Sequence, residues 1–213
     1  MRREAEDGAT AEDATTRCAA GAHEADERGP SVELRALFQA QETLVNEVKK
    51  LNLGVLPVQC PPLCYKRAVT HDRARLSHAA LLVSNECERN TKRLKREDKA
   101  GNEAFEGDAL VVGAVLAEHD PIHKVVHIQT LVVDARHRRH GIGRLLIQRV
   151  IERAVECDRV ECVQLHVHVA NDDALAFYKT MGFIEHKRIE NYYRHLTPRT
   201  CIVLRRSIDD ANT

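Results

Sequence analysis

A glycine-containing turn between an apolar segment and a helical segment constrains this chain more than any other feature. The turn reads Arg-Arg-His-Gly-Ile-Gly at Arg138–Gly143, after the apolar run Ile128–Val133 and before the helical pattern Arg144–Glu156. The free N–H groups in the first turn of a helix point outward, and the helix dipole favours negative charge there. Glycine lets the backbone approach a phosphate closely, and arginine supplies forked donors for its oxygens. This order of elements therefore predicts a pyrophosphate-binding turn.

The glycine spacing excludes two common phosphate-binding loops. A Walker loop needs Gly-x-x-x-x-Gly-Lys followed by Ser or Thr, and a dinucleotide-binding turn needs a third glycine; the turn matches neither pattern. The remaining Arg-x-x-Gly-x-Gly pattern resembles the acetyl-coenzyme A loop of the GCN5-related N-acetyltransferases. The resemblance implies that the whole loop binds the pyrophosphate. Its residues are Arg138, Arg139, His140, Gly141, Ile142, Gly143 and Arg144.

Apolar periodicity predicts the element order β-α-α-β-β-β-α-β-α-β-β. The predicted elements are the strand 32–35, the helices 39–51 and 63–69, the strands 79–83, 109–116 and 125–133, the helix 144–156, the strand 163–169, the helix 172–181, and the strands 183–190 and 199–206. Asn171 is the predicted N-cap of the last helix. This order matches the GCN5-related N-acetyltransferase fold. That fold is α/β, with a mixed, mostly antiparallel sheet of about seven strands and helices on both faces.

The length of 213 residues suits one domain with appendages. Residues 1–30 have few large apolar side chains and more acidic than basic residues, so we predict that this acidic extension is disordered. The acetyltransferase-like domain is predicted at 31–206, with a charged insertion at 86–108 and a tail at 207–213. The basic run Thr91–Arg96 in the insertion is either a solvated loop or a contact with RNA or a partner protein.

Composition restricts the ligands and the compartment. Lys plus Arg equals Asp plus Glu at 32 each, so no global positive field attracts nucleic acid and we expect no direct DNA binding. The seven cysteines lack zinc-binding spacing and follow no secretory peptide. We therefore expect free thiols, no metal, and a cytoplasmic location with a nuclear fraction allowed. No apolar run approaches the ~20 residues that span a bilayer, so we expect no membrane association.

A second set of motifs narrows the resemblance. The segments Asn171–Tyr178, Met181–Phe183 and Asn191–Tyr193 are similar to those of the protein N-terminal acetyltransferases. The Leu165-His-Val strand and the Leu56-Pro-Val loop add similarity to the NatE catalytic-subunit type, which acetylates an exposed amino-terminal methionine. The resemblance implies acetyl-CoA as co-substrate and a peptide or protein N-terminus as acceptor. It also implies a large auxiliary subunit and the ribosome as partners.

The resemblance assigns roles around the acetyl group. Backbone groups of Leu131, Val132 and Val133 would pair with the pantetheine arm of acetyl-CoA, and Asn171 and Tyr178 would line its other side. A backbone N–H near Val132 or Val133 would stabilise the oxyanion. The Tyr178 hydroxyl would protonate the leaving sulfur or donate a hydrogen bond to it.

Two histidines are predicted to deprotonate the substrate amine. His166 stands where the family has a catalytic histidine, and His127 stands where it has a catalytic tyrosine. An α-amino group has a pKa of about 8, against about 10.4 for lysine, so an N-terminal substrate needs only a modest base. An imidazole with an ordinary pKa near 6.5 suits that task, and an ordered water could share the proton between the two rings.

The predicted substrate pocket departs from the family pattern. Its residues are Leu56, Pro57, Val58, Cys60, Gln129, Tyr192, Tyr193 and Leu196. The family has an aromatic residue at position 56, a tyrosine at 60 and a methionine at 129, so the substrate preference stays open. The apolar slot favours methionine followed by an apolar residue. Two other functions also stay open: acetylation of lysine or a small amine by the same fold, and a non-catalytic coenzyme A-binding subunit of a ribosome-associated complex.

Overall fold

The computed structural model describes residues 31–72, 75–83, 109–157 and 159–208. The strands are β1 (Ser31–Ala36), β2 (His78–Val83), β3 (Leu110–Asp120), β4 (Val125–Val133), β5 (Cys162–His168), β6 (Ile184–Ile189) and β7 (Cys201–Ser207). The helices are α1 (Glu42–Val55), α2 (Pro62–Thr70), α3 (Ile142–Val155) and α4 (Asp172–Thr180). The predicted order of elements is confirmed. The acidic extension 1–30, the insertion 86–108 with its basic run, and residues 209–213 of the tail lie outside the described residues.

The seven strands form one sheet in the order β1-β2-β3-β4-β5-β7-β6. The pair β4–β5 is parallel, and the other five neighbouring pairs are antiparallel. The helix α3 forms the crossover between β4 and β5, as a parallel pair requires. The predicted mixed, mostly antiparallel sheet is confirmed.

Helices cover both faces of this sheet. On one face, α1 and α2 place Leu44, Val48 and Tyr65 against Leu81 and other residues of β2 and β3. On the opposite face, α3 and α4 place a second set of side chains against β3, β4 and β5. The buried members from these two helices are Ile142, Leu146, Ile147, Val150, Ile151, Ala154 and Tyr178. The prediction of helices on both faces is therefore confirmed.

Some element bounds differ from the sequence-based ones. The helix α1 runs to Val55 rather than residue 51, with the Leu56 N–H still donating to the Asn52 carbonyl at 2.9 Å, and it ends just before Pro57. The strand β3 continues to Asp120 rather than residue 116, because it forms a hairpin with β4 down to the Asp120–Val125 pair. The strand β7 ends at Ser207, one residue beyond the predicted domain boundary. None of the helices in the described residues is long and apolar enough to cross a membrane.

The pairing between β4 and β5 ends before either strand does. Its register runs from Val125–Cys162 to Ile128–Leu165, whereas β4 continues to Val133 and β5 to His168. Among the described residues, no strand pairs with the edge of β4 that faces β5 over 129–133. Unpaired backbone donors and acceptors along such an edge can bind an extended ligand as a further strand would.

Candidate active site

The turn before α3 has the backbone geometry of an anion cradle. Gly141 is the N-cap of α3 with φ +78°, and Arg139 is also left-handed at φ +66°. A Cβ on Gly141 would meet nothing within 4 Å, so glycine is needed there for its conformation and for an open approach to the amides of the helix end. The side chains of Arg138, Arg139 and Arg144 are exposed around this turn. The prediction of a helix N-terminus preceded by a glycine turn is confirmed.

Two further residues position the cradle, and neither was predicted from the sequence. A Cβ on Gly113 of β3 would lie 3.0 Å from Cγ2 of Ile142, so glycine allows the first turn of α3 to pack tightly on the sheet. Asp134 accepts hydrogen bonds from the backbone and guanidinium of Arg136, at 2.9 to 3.1 Å. These bonds hold the pKa of Asp134 well below its usual range. Asp134 thereby orders the chain between β4 and the cradle.

Beside the free edge of β4 lies a cavity of about 350 Å³. It unites the three predicted catalytic residues His127, His166 and Tyr178 with Asn171 and Leu131. All eight predicted substrate residues also line it: Leu56, Pro57, Val58, Cys60, Gln129, Tyr192, Tyr193 and Leu196. The cradle residues do not line this cavity, and Arg144 contributes to a separate groove beside Arg206. The predicted phosphate-binding turn thus lies outside the cavity, and the free edge of β4 lines the cavity at Leu131.

Three aromatic rings form a stack inside the cavity. The rings of His127 and His166 lie 4.8 Å apart with an interplanar angle of 16°, and the ring of Tyr192 stacks on His166 at 5.0 Å and 6°. Tyr193 meets Tyr192 edge-on at 4.9 Å. His127 and His166 come from adjacent parallel strands, and Tyr192 comes from the loop between β6 and β7. The stack fixes the orientation of both imidazoles against one wall of the cavity.

Burial lowers the pKa of both histidines. Desolvation lowers the pKa of His166 to about 4, and His127 and Lys187 add repulsion in the same direction. Desolvation also lowers the pKa of His127, against the opposing effect of the Ile128 backbone and the nearby carboxylates of Glu118 and Asp120. Both pKa values therefore lie below the 6.5 that the sequence suggested for His127, and both rings are neutral at physiological pH. The Nδ1 atom of His127 is buried without a hydrogen-bond partner among the described residues.

The helix α4 supplies two further cavity residues. Asn171 caps it as predicted, because its Oδ1 accepts a hydrogen bond from the N–H of Ala174 at 3.2 Å. Tyr178 is 8% exposed and packs edge-on against Phe177 and Phe183. Burial raises the pKa of Tyr178, so its phenol stays protonated at neutral pH. A protonated hydroxyl beside the free β4 edge can donate a hydrogen bond or a proton to a bound ligand.

The loop between β6 and β7 is tied to β5 by His168. The Nε2 atom of His168 donates a hydrogen bond to the carbonyl of Pro198 at 2.6 Å, and its ring meets Tyr193 edge-on at 5.4 Å. The N–H of Tyr193 in turn donates to the carbonyl of Arg199 at 3.0 Å. These contacts hold both tyrosines over the cavity. Within the described ranges, no three His, Cys, Asp or Glu side chains are arranged to hold a metal ion.

The family follows from a direct sequence comparison. A family model described as the acetyltransferase (GNAT) family matches residues 73–183, more than half of the chain. The chain belongs to the GNAT family. The match spans β2 through α4, which includes the free edge of β4, the cradle and Tyr178. These are the parts of this GNAT chain that its own sequence motifs pointed to.

Individual relatives lie among the N-terminal acetyltransferases. N-alpha-acetyltransferase 50 of Danio rerio is 32% identical over 101 residues, which cover 46% of this GNAT chain and 60% of the relative. N-alpha-acetyltransferase 30 of Homo sapiens is 38% identical over 86 residues, covering 38% and 23% of the two chains. The matches thus span less than two thirds of these curated relatives.

Solved structures of the same fold extend further along this GNAT chain. Arabidopsis thaliana N-alpha-acetyltransferase 50 in complex with the bisubstrate analogue CoA-Ac-MVNAL is 27% identical, with a TM-score of 0.61. That match covers 83% of this chain and 99% of the other. The ribosomal-protein-S18-alanine N-acetyltransferase of Escherichia coli is 15% identical with a TM-score of 0.59, which shows a shared fold.

The sequence analysis of this GNAT chain missed part of the cavity lining. The missed residues are Gln59, Pro61, Ile128, Thr130, Leu165, Val167, His168 and Ala174. Among these residues, only His168 could have been predicted from the sequence, because it shares a strand face with His166. The position of Thr130 depends on an irregularity in strand pairing that sequence patterns do not reveal.

Proposed function

We propose that this protein is an N-terminal acetyltransferase that transfers the acetyl group of acetyl-CoA to the α-amine of a peptide or protein. The observation that carries the proposal is the cavity itself. It joins the unpaired edge of β4 and the Tyr178 hydroxyl to two neutral histidines and to the apolar loop 56–61. The relatives support the same activity, since those compared above are N-alpha-acetyltransferases. One similar structure holds an analogue in which coenzyme A is joined to a peptide.

The residues present fit acetyl-CoA. The pyrophosphate would bind at the amides of Gly141 and Gly143, with the exposed arginines around them. The pantetheine arm would pair with Leu131–Val133, because that backbone edge has no strand partner in the described structure. The acetyl group would then lie between Tyr178 and a backbone N–H of Val132 or Val133, which would stabilise the oxyanion.

The residues around the cavity account for each bond and each proton in acetyl transfer. The α-amine nitrogen forms a bond to the acetyl carbon, and the carbon–sulfur bond breaks. The nitrogen gives up a proton to His166 or His127, directly or through a water, and Tyr178 donates its hydroxyl proton or a hydrogen bond to the departing sulfur. Neutral imidazoles can accept that proton, and the burial that lowers their pKa keeps them unprotonated at pH 7.

The cavity favours an α-amine over a lysine. An α-amine with a pKa of about 8 is partly neutral at pH 7, whereas deprotonating a lysine costs roughly 3 kcal/mol more. The burial that keeps His166 neutral also makes it a weak base, so the smaller cost of deprotonating an α-amine favours that substrate. We propose methionine followed by an apolar residue as the favoured N-terminus, because Leu56, Pro57 and Val58 offer apolar surface.

A peptide library with a mass-spectrometric readout tests this function. Each peptide carries one lysine, and each has a partner whose α-amine is blocked. We expect acetylation at the α-amine of Met-Leu peptides and at least tenfold less on the blocked partners. Acetylation of the lysine alone would establish the lysine activity instead. Binding of acetyl-CoA by calorimetry without turnover on any peptide would establish the non-catalytic subunit. A large auxiliary subunit and the ribosome remain proposed partners, and co-purification from cell extract tests them.

A further inference from the structure

Thr130 carries a buried hydroxyl that the protein itself leaves unpaired. Its residue is 8% exposed, and its Oγ1 atom has no hydrogen-bond partner among the described residues. Buried hydroxyls almost always have a partner, so an exception calls for a reason. Thr130 lines the cavity that holds His127 and His166. Its hydroxyl is therefore placed to meet a polar group of whatever fills this cavity.

Gln129, the neighbour of Thr130, is the extra residue of a β-bulge. The register passes from the Leu116–Thr130 pair to the Ala117–Ile128 pair, so Gln129 has no partner on β3. A bulge turns the extra side chain away from the regular alternation. Gln129 is exposed and lines both the catalytic cavity and an adjoining cleft of about 430 Å³ beneath α2. Its amide makes no hydrogen bond to the other described residues.

Apolar residues of the loop 56–61 line the same cavity and offer these two groups no hydrogen-bond partner. They are Leu56, Pro57 and Val58, while the amide of Gln59 is already bonded to the carbonyl of Leu56 at 2.7 Å. Burial raises the pKa of the Cys60 thiol, so that group stays uncharged. The lining of the cavity thus combines an apolar loop with an amide and a hydroxyl that have no hydrogen-bond partner among the described residues. An amide and a hydroxyl together match a small polar side chain that both donates and accepts.

We propose that Gln129 and Thr130 form a hydrogen-bonding subsite for a polar, uncharged side chain at one of the first two positions of the peptide substrate. The inference rests on the proposed N-terminal acetyltransferase activity and deepens it. Asparagine, glutamine, serine and threonine side chains are the chemical class that fits. Peptides with these residues are then acetylated alongside the all-apolar peptides that the apolar loop 56–61 accepts.

The physical reason is the change in hydrogen bonding of these two polar groups when a substrate side chain occupies the cavity. An apolar side chain removes the water around the exposed Gln129 amide and leaves the Thr130 hydroxyl without a partner, which weakens binding. A polar side chain supplies a hydrogen-bond partner to both groups. Sites with buried hydrogen-bonding groups discriminate more strongly than sites that sense size alone. Gln129 and Thr130 therefore determine specificity without taking part in proton transfer.

The test is a two-position peptide library assayed with wild type, Gln129→Met and Thr130→Val. Position 1 or position 2 of a Met-Leu parent is varied among Asn, Gln, Ser, Thr, Leu and Met, and kcat/KM is measured for α-amine acetylation. The measured quantity is the ratio of kcat/KM for each polar peptide to kcat/KM for its apolar counterpart. Gln148→Met serves as the matched control, because Gln148 is exposed on α3 away from the cavity.

We expect this ratio to fall by about tenfold in Gln129→Met and severalfold in Thr130→Val at the same peptide position, and to stay at the wild-type value in Gln148→Met. An equal loss for polar and apolar peptides would overturn the subsite, because it would mean that these groups hold the peptide backbone. A ratio that does not respond to either substitution would also overturn it while leaving N-terminal acetylation intact. Absence of α-amine acetylation on every peptide by wild type would overturn the proposed function and the subsite together.

Discussion

The proposed cofactor side and the proposed peptide side of the cavity differ in how much of the chain is needed to build them. The main part of the cofactor side comprises the end of β4, the cradle and the start of α3, which are continuous from Leu131 to Arg144, and α4 adds Asn171 and Tyr178. The peptide side combines four separate segments: the loop 56–61, the bulge of β4, the end of β5 and the loop 190–200. The first relies mainly on backbone groups and the second on side chains. A binding site made of backbone groups tolerates most side-chain substitutions. The binding properties of a site made of side chains change when those side chains are substituted.

This comparison explains where the chain departs from its family pattern. The cradle keeps the Arg-x-x-Gly-x-Gly spacing, and Gly141 keeps the φ of +78° that the turn requires. The residues at 56, 60, 127 and 129 all differ from the pattern, and all of them line the cavity. The ligand of the cofactor side is the same for every acetyltransferase, while the ligand of the peptide side varies.

The largest expected effect tests whether the histidines on the peptide side accept the proton of the substrate amine. Replacing His166 by Phe keeps a ring in the stack and removes the proton acceptor, so kcat should fall by ~10²–10⁴-fold. His127→Phe should cost less, and His127→Tyr should recover part of that loss. Steady-state kinetics on one Met-Leu peptide measures all three. An unchanged kcat in both phenylalanine variants would show that neither histidine accepts the proton.

The second-largest expected effect tests whether acetyl-CoA binding depends on the backbone of the cradle. Gly141→Val puts a β-branched residue at a positive φ and a side chain over the helix amides, so acetyl-CoA affinity should fall by about 10²–10³-fold. Calorimetry on the folded variant measures it. Gly54→Val, at a helical site with open space around it, is the control for a general effect of the substitution. Unchanged affinity in Gly141→Val would remove the cradle from the binding site.

The pH dependence separates the substrate's titration from that of the protein. The pKa of His166 is about 4, below the ordinary value, so this ring is already neutral above pH 6 and its state does not change there. The rate should therefore rise about tenfold per pH unit below 8 and level off as the α-amine loses its proton. Initial rates from pH 6 to 9 on one peptide measure this profile. An inflection near 6.5 that disappears in His127→Phe would mean that His127 titrates in the working range.

A smaller effect tests the anchoring of the peptide-side loop. His168→Phe keeps the edge contact with Tyr193 and loses the hydrogen bond to the Pro198 carbonyl, so the peptide KM should rise by about three- to tenfold. The KM for acetyl-CoA should not change, because this loop does not belong to the cofactor side. His168→Gln, which retains a donor, should recover part of the peptide KM. A rise in the acetyl-CoA KM of equal size would contradict the division into two sides.

The smallest effect concerns stability. Thr130→Val removes a buried hydroxyl that has no partner among the described residues and keeps the shape of the side chain. The free energy of unfolding should rise by up to about 1 kcal/mol, because the unfolded chain no longer gives up a bond to water on folding. Thermal denaturation measures the change. Thr130→Ser retains the hydroxyl and should be less stable than wild type, and a destabilised Thr130→Val would mean that the hydroxyl is paired in solution.

Several features of the site were predictable because they depend on residues close in sequence. The cradle follows from a strand, a glycine turn and a helix within about twenty residues, and the Asn171 cap follows from one residue and the helix after it. The alternation of apolar and polar residues along β5 is enough to place His166 and His168 on one face of that strand. The resemblance to N-terminal acetyltransferases then identified residues from distant segments, and the cavity unites them.

Other features were out of reach of the sequence. The bulge at Gln129 depends on how β4 pairs with β3, and that register is set by both strands at once. The low pKa values of His127 and His166 depend on burial and, for His166, on repulsion from His127 and Lys187, which no local pattern encodes. The close approach of Ile142 to Gly113 joins residues about thirty positions apart in different elements.

By itself, the sequence determined the order of the elements, the position of the cradle and the identity of the groups available for chemistry. These depend on periodicity and on short motifs, whose physics acts within a few residues. Only the tertiary structure decided that two histidines stack with Tyr192 and stay neutral, that Gln129 is the extra residue of a bulge, and that the Thr130 hydroxyl is buried without a partner among the described residues. The reason is that desolvation and strand register arise from packing between distant segments, and packing is a property of the folded chain as a whole.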